Sequence, residues 1–306
     1  MTAARPYIGR FAPSPTGPLH FGSLVAAAAS YADARAAGGY WLLRIEDVDS
    51  ERCTKSAEGE ILRQLAAYGF EADGDIMRQS ERAELYDLAL NRLQGRGHLF
   101  GCTCTRKMMA FAPRNACGES IYPGRCRALT LAQSASTALR LRVSEGSDAI
   151  IAFTDRGLGS LAQNVATDVG DFILRRADQR IAYQLAVVVD DAAQGVTDIV
   201  RGDDLLMNTP RQIYLQRCLE FATPGYLHVP LVKNKTGEKL SKQTLAAAVA
   251  LDNAVATLAA AWAFLKQPGV GAVATVAQFW QRAIPLWNPA LMRLDVPDAN
   301  RGAEGR

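Results

Sequence analysis

Tyr7-Ile-Gly-Arg-Phe-Ala-Pro-Ser-Pro-Thr-Gly-Pro-Leu-His-Phe-Gly-Ser23 is the stretch that decides how the chain reads. Tyr7 to Phe11 has the make-up of a short strand, and Pro13-Ser-Pro-Thr-Gly-Pro18 punctuates its end. An Ala-rich helical run from about His20 to Ala37 follows, closed by Gly38-Gly39. Tyr40-Trp-Leu-Leu-Arg-Ile45 is then a second apolar strand. Ile61, Leu62, Leu65 and Leu85, Leu88, Leu93 recur at helical spacing, predicting helices over 57–68 and 82–94. Strand and helix in alternation demand parallel pairing, hence an α/β core.

The pattern changes between Gly101 and about Ala166, where cysteines, a Gly/Pro-rich stretch and short alternating segments such as Leu139–Val143 mark an insertion. The core pattern resumes with Asp171-Phe-Ile-Leu and a strand opening at Tyr183 (Tyr-Gln-Leu-Ala-Val-Val-Val). A helix from about Pro210 to Phe221 and a strand at His228-Val-Pro-Leu-Val follow. Lys233 to Gln243 is a polar loop rich in Gly and Lys, and beyond about Ala246 the chain is Ala-rich and helical, broken at Gln267-Pro-Gly. The expected organisation is a split core domain (1–100 and 167–245), an insertion (101–166) and a C-terminal helical region (246–306).

Composition narrows the class. A chain of 306 residues suggests about two domains, or one large domain with an insertion. With 49% hydrophobic and 21% charged residues, disorder, collagen and coiled coil are excluded. Net charge is 34 − 31 = +3, compatible with nucleic acid but no electrostatic footprint by itself. The longest apolar stretch falls short of the roughly 18 residues that span a bilayer, and no basic-then-apolar leader opens the chain. A cytoplasmic protein without membrane association is the expectation. Six cysteines in such a chain point to metal or core roles rather than a disulfide framework.

Three constellations carry chemistry. The first is the Pro/Gly loop leading into a helix that opens at His20 and Gly22: outward N–H groups and the helix dipole suit polyphosphate, and glycine permits close approach. The second is Lys239-Leu-Ser-Lys-Gln243, two lysines able to neutralise charge built up in in-line displacement. The third is Cys102-Thr-Cys104 with Cys126 further on, three sulfurs suited to tetrahedral zinc, with Cys117 and His98 as further donors within reach of the spacing. Taken alone, each has a plainer reading: a proline-rich turn with a capping histidine, a solvated charge run, reduced buried thiols.

Together, the P-S-P-T-G-x-L-H-x-G string and the K-L-S-K loop resemble the HIGH and KMSKS signatures of class I aminoacyl-tRNA synthetases. Arg10-Phe-Ala-Pro-Ser14 and Arg44-Ile-Glu-Asp-Val-Asp49 narrow the resemblance to the glutamyl/glutaminyl branch, over about residues 7–245. The second histidine of HIGH is Ser23 here, the arginine usual in the next turn of glutamyl-tRNA synthetases is absent from Leu24-Val-Ala-Ala, and the last serine of KMSKS is Gln243. Roughly 60 residues follow the lysine loop, too few for anticodon-binding domains. These departures are similar to the short paralogues of that branch that attach glutamate to the queuosine base in the tRNA(Asp) anticodon.

The resemblance implies a Rossmann-like catalytic domain with a parallel sheet, a zinc-bearing insertion and a small C-terminal helical region. It implies ATP with Mg²⁺ and L-glutamate as substrates and queuosine-containing tRNA(Asp) as acceptor. Glutamate would meet Arg10, Phe11, Ala12, Pro13, Ser14, Glu46, Tyr183 and Arg201; ATP would meet His20, Gly22 and Lys242; His20, Lys239 and Lys242 would serve catalysis. One structural zinc would take Cys102, Cys104, Cys126 and, as the resemblance implies, Tyr122, with Cys117 and His98 as alternatives for the fourth place. Arg125, Arg127, Arg175, Arg176 and Arg180 are candidate phosphate contacts. On the residues alone Tyr183 also fits a core position, and Glu46 and Arg201 also fit surface ion pairs. A shortened synthetase charging a tRNA 3′ end and a tRNA-binding paralogue without catalysis are the alternative readings.

Overall fold

A computed structural model describes residues 5–49, 51–115, 118–129, 137–232 and 247–292. In chain order its elements are β1 (Ile8–Phe11), α1 (Phe21–Ala36), β2 (Tyr40–Ile45), α2 (Lys55–Ala67), β3 (Met77–Arg78), α3 (Ala83–Gly95) and β4 (Leu99–Cys102). Then come α4 (Arg106–Met109), β5 (Ala138–Leu141), β6 (Ile150–Asp155), β7 (Gly159–Asn164), α5 (Val165–Asp168), β8 (Phe172–Arg175) and α6 (Tyr183–Ala193). The last are β9 (Asp198–Gly202), α7 (Thr209–Leu219), β10 (Gly225–Val229), α8 (Ala254–Phe264) and α9 (Val276–Ala283).

β1, β2 and β3 pair in parallel, as do β9 with β10 and β10 with β6, while β7 folds back on β6. β1 and β9 lie edge to edge, joined where the Thr197 N–H donates to Ile8 O (2.9 Å) and the Ile8 N–H to Thr197 Oγ1 (2.8 Å). The order is thus β3-β2-β1-β9-β10-β6-β7, with the direction of winding reversed between β1 and β9. In open parallel sheets that reversal leaves a crevice at the carboxyl ends of the strands. The expected parallel α/β core is present.

α1 is Ala-rich because it is enclosed: it packs on β1, β2 and β9 on one side and on α8 on another, so residues from Leu24 to Ala34 are almost all buried. A helix apolar on every face belongs inside. Its one buried acid, Asp33, accepts from the Tyr7 hydroxyl, the Arg156 guanidinium and Trp287 Nε1 (2.8 Å). The C-terminal helices do not stand apart. Trp262, Phe279 and Trp280 join Tyr31, Trp41 and Phe70 in one aromatic cluster, with Trp280 4.9 Å from Tyr31 and donating to Tyr68 O (2.9 Å).

Two expectations are corrected. The run opening at Tyr183 is helix α6, not a strand. Five apolar residues in a row, Leu185 to Val189, are ambiguous between a buried strand and a buried helix, and α6 is packed by α3, α7 and β8, so Leu185 through Asp191 are all buried. Phe172–Arg175 joins the insertion rather than the core sheet, pairing antiparallel with β5, which pairs with β4. Conversely β6, expected within the insertion, reaches the core sheet through Tyr226 beside Asp155. Among the described residues no helix is long and apolar enough to cross a membrane.

Candidate active site and cysteine cluster

At the carboxyl ends of β1 and β9 lies a cleft of about 740 Å³, lined by Arg10, Phe11, Ala12, Pro13, Ser14, His20, Gly22, Glu46, Tyr183 and Arg201. Every candidate glutamate residue, with His20 and Gly22, therefore meets in one cavity. Lys239, Lys242 and Gln243 lie outside the described residues. The residues flanking that stretch border the cleft: Val232 lines it, and Ala248 bridges to His20.

The loop from β1 to α1 is fixed from three sides. Glu46 N–H donates to Pro13 O (3.0 Å), Thr54 N–H to Pro15 O (3.0 Å), and Leu19 N–H to the buried Gln64 Oε1 (2.7 Å). His20 then caps α1, its Nδ1 accepting from the Ser23 N–H at 3.2 Å. Gly22 sits against this ring: a Cβ there would press on His20 Cε1 and Nδ1 at 3.2 Å, so the position favours glycine. The first turn of α1 borders the cleft through Gly22 and Ser23, and a helix N-terminus favours an anion beside it. Phe11 contributes a wall while stacking on Trp41.

The floor is a buried charge cluster. Asp191, two turns into α6, accepts from Arg10 Nε (3.1 Å) and Arg44 Nη1 (2.7 Å), and Arg44 Nη2 reaches Glu46 Oε1 at 3.3 Å. Burial alone would raise Asp191, but Arg10 and Arg44 outweigh it and hold the carboxyl below its ordinary range. For Glu46 burial wins over Arg44 and Arg10, and its carboxyl sits above the ordinary range. Tyr183 keeps 37% of its surface open, yet the crowding round it, with Glu46 next, pushes the phenol up to about 12. Arg10 and Glu46 of this cluster line the open volume, and Arg44 and Asp191 are buried behind them.

Arg201 is different. It is 5% exposed, and its partners are neutral: Gln212 Oε1 (2.8 Å), Thr209 Oγ1 (2.8 Å), Leu205 O (3.4 Å) and His228 Nε2 (3.2 Å). Among the described residues no carboxylate lies within ion-pair distance of it. A buried cation without a counter-ion is costly, and this one faces a cleft. The reading of Arg201 as a surface ion pair is excluded by its burial, that of Tyr183 as plain core by its opening to the cavity.

Sequence reasoning missed Asp191 and gave Arg44 no role in the site. Asp190-Asp191 directly after an apolar run was the available signal, since buried carboxylates require partners; Asp190 takes Arg82, Gln79 and Tyr86.

In the insertion, β4 and the segment after it bring Cys102, Cys104 and Cys126 together, their sulfurs all within 4.8 Å. Tetrahedral zinc with Zn–S near 2.3 Å sets sulfurs roughly 3.8 Å apart and sulfur to an oxygen donor roughly 3.5 Å. Cys104 and Cys126 are 3.7 Å apart, and the Tyr122 hydroxyl stands 3.5 Å from Cys102 and 3.8 Å from Cys104. The set fits, with Tyr122 at the fourth corner. The Arg140 guanidinium lies 3.9 Å over the Tyr122 ring, where it would balance an anionic oxygen. Gly170, with φ +69°, lies against the Tyr122 backbone, where a Cβ would stand only 3.0 Å from Tyr122 O. His98 is outside this group of ligand atoms, and Cys117 lies outside the described residues.

Of the candidate phosphate contacts, Arg127 donates to Asp171, Arg175 pairs with Asp87, Arg176 with Asp178 and Arg180 with Glu51. Arg125 is exposed, as are Arg106, Lys107 and Arg114, and among them Phe111 is 89% exposed. Glu119, later in the same insertion, accepts from Arg211 near the start of α7.

Residues 8–267 match the catalytic domain of the class I tRNA synthetases (E and Q). The chain is 56% identical over 270 residues to a protein of Thiobacillus denitrificans named Glutamyl-Q tRNA(Asp) synthetase, covering 88% of this chain and 89% of that one. It is 53% identical over 286 residues to the protein of that name from Dechloromonas aromatica, covering 92% and 94%. Among solved structures, glutamate-tRNA synthetase of Elizabethkingia anophelis superposes with a TM-score of 0.67 at 26% identity. That match covers 78% of this chain and 53% of the other, so the chain spans about half the length of that enzyme.

Proposed function

The chain belongs to the class I tRNA synthetases of the glutamate and glutamine group, ATP-dependent ligases, and on that premise we propose that it activates glutamate and transfers it to the queuosine base of tRNA(Asp). The observation that carries the first half is Arg201, a buried cation facing the cleft with neutral partners only. The second half rests on the name of the relatives, which match 88% and 92% of this chain.

An α-carboxylate oxygen of glutamate attacks the α-phosphorus of ATP, the bond to the bridging oxygen breaks, and pyrophosphate leaves. The carboxylate is already ionised, so no general base is needed; the requirement is positioning and charge neutralisation. Arg201 takes the side-chain carboxylate through the planar fork suited to it. Glu46 takes the α-ammonium, with Arg10, Ser14 and Tyr183 completing the amino-acid site and Phe11, Ala12 and Pro13 its wall. His20, Gly22 and the N-terminus of α1 receive the phosphates, with Lys239 and Lys242, whose segment is flanked by cleft residues on both sides. Mg²⁺ bound with ATP supplies further neutralisation. A hydroxyl of the queuosine cyclopentenediol then attacks the carbonyl carbon of the adenylate. An ester forms, AMP leaves and the hydroxyl proton passes to solvent.

In this reading residues 1–100 and 167–245, with β6 and β7 joining from 101–166 and β8 excepted, serve as the catalytic domain, the rest of 101–166 with β8 as the RNA-facing insertion and 246–306 as a helical region beside it, acting in the cytoplasm. Cys102, Cys104, Cys126 and Tyr122 hold one zinc, which supplies a structural cross-link. The exposed surface of Arg106, Lys107, Arg114, Arg125 and Phe111 meets RNA, because a bare aromatic among cations suits an unstacked base and its phosphates.

Labelled glutamate, ATP and total tRNA from queuosine-proficient and queuosine-deficient cells test the proposal. Label on proficient tRNA alone is the expected result. Label on both means 3′-end charging by a shortened synthetase; label on neither, with no glutamate-dependent pyrophosphate exchange, leaves a binding protein.

A further inference from the structure

Behind Arg201 runs a chain of buried groups that never reaches the cleft. Arg201 Nε–H points at His228 Nε2 (3.2 Å), and His228 Nδ1 stands 2.7 Å from Asp155 Oδ2. Both His228 and Asp155 are essentially without solvent exposure. Asp155 is saturated: its Oδ1 accepts the Gly157 and Leu158 N–H groups (2.8 and 3.0 Å), and its Oδ2 also accepts the His228 N–H (3.1 Å). The geometry admits one arrangement of protons. Arg201 has only N–H groups to offer, so His228 Nε2 accepts from it, and the Thr209 hydroxyl, also 3.2 Å from Nε2, can donate to the same lone pair; the Asp155 carboxylate has only lone pairs, so His228 Nδ1 carries the hydrogen.

We infer that Asp155 and His228 are positioning residues for glutamate recognition, a neutral imidazole held in its Nδ1–H tautomer that aims the Arg201 guanidinium and leaves its full charge for the substrate's side-chain carboxylate. This rests on Arg201 as the glutamate ligand. A carboxylate directly on Arg201 would fix the side chain equally well but cancel the charge the substrate needs. Asp155 one ring away supplies the hold without the cancellation, as an outer carboxylate orients a histidine elsewhere. Burial keeps the imidazole below its usual range despite Asp155 beside it. Strand pairing makes the arrangement rigid, since Arg201 on β9 and His228 on β10 are in direct register, and Asp155 ends the next strand.

The test combines ring-nitrogen NMR with glutamate-dependent pyrophosphate exchange. The chain has three histidines, so His228 is assignable by single substitution. Wild-type protein should show His228 as the neutral Nδ1–H form at neutral pH. Asp155→Asn, whose amide can donate to Nδ1, should convert it to the Nε2–H form. Asp155→Asn and His228→Phe should each raise KM for glutamate about 10- to 100-fold, leaving KM for ATP and the melting temperature near wild type. His228→Gln, which keeps an acceptor near the Nε2 position, should restore KM. An Nε2–H or imidazolium His228 in the wild type overturns the inference. So does an unchanged glutamate KM in His228→Phe where Arg201→Ala raises it. If Arg201→Ala also leaves KM unchanged, the glutamate reading of Arg201 itself fails. Should His228→Phe not fold, the NMR of the wild type and the kinetics of Asp155→Asn decide the matter.

Discussion

At the cleft, Asp191 braces Arg10 and Arg44 from a helix that is buried over most of its length. In the insertion, the small third core consists of Phe100, Cys102, Tyr122 and Cys126, with Cys104 and Met109 leaning on it. The first region gets its geometry from the chain alone, through a sheet, two large cores and a closed set of ion pairs. The second has too little apolar surface to hold a shape, as do small domains generally, and its sulfurs stand where a metal would join them. One fold thus contains a site that is preorganised and a site that a metal would cross-link, and the two should fail in different ways.

The sharpest way to break the comparison is at Asp191. Asp191→Ala leaves two buried guanidiniums short of their shared carboxylate and should cost about 3–5 kcal/mol of stability, read by denaturant unfolding; a loss under about 1 kcal/mol would mean that Glu46 suffices for both. Lys242→Ala should slow pyrophosphate exchange about 100- to 1000-fold with the fold intact, and unchanged exchange would remove that lysine from phosphate binding. Phe111→Ala should leave exchange alone but weaken transfer to queuosine tRNA about 5- to 100-fold, the worth of one stacked base. Equal transfer would take the insertion's exposed face out of RNA contact.

A smaller effect follows from Glu46. Its carboxyl is raised by burial, so as pH falls it is protonated sooner than an ordinary glutamate and loses its hold on the α-ammonium. KM for glutamate should therefore rise on the acid side, beginning above the usual carboxylate range, and Glu46→Gln should flatten that limb. The smallest effect on exchange is expected from metal removal. Purified protein should hold about one zinc, and chelation should lower hydrogen-exchange protection around residues 99–126 while exchange activity stays within about twofold. Exchange that collapsed with the metal would erase the distinction between the two regions.

Much of the site was legible because its chemistry is local in sequence. Arg10 to Ser14, His20 and Gly22 form one loop and one helix start, and a strand, a Pro/Gly turn and a cap can each be recognised within a few residues. Tyr183 was placed in the right cavity on the wrong element, since a run of valines carries no period to separate a helix from a strand when both faces are buried. Asp155 and His228 were illegible for another reason: 73 residues apart, they matter only because parallel register lays β6, β9 and β10 side by side. The pairing of β8 with the insertion was hidden in the same way.

Asp33 bears on where this protein could be cut. Its carboxylate, in the last turn of the helix whose first turn borders the cleft, is shared by Tyr7 just before β1, by Arg156 after β6 and by Trp287 beyond α9. A shortened version ending after residue 245 would keep every side chain that lines the cleft, yet it would strip the outer wall from the aromatic cluster and admit water to that carboxylate. The minimal catalytic unit, for anyone engineering one, therefore extends at least through Trp287.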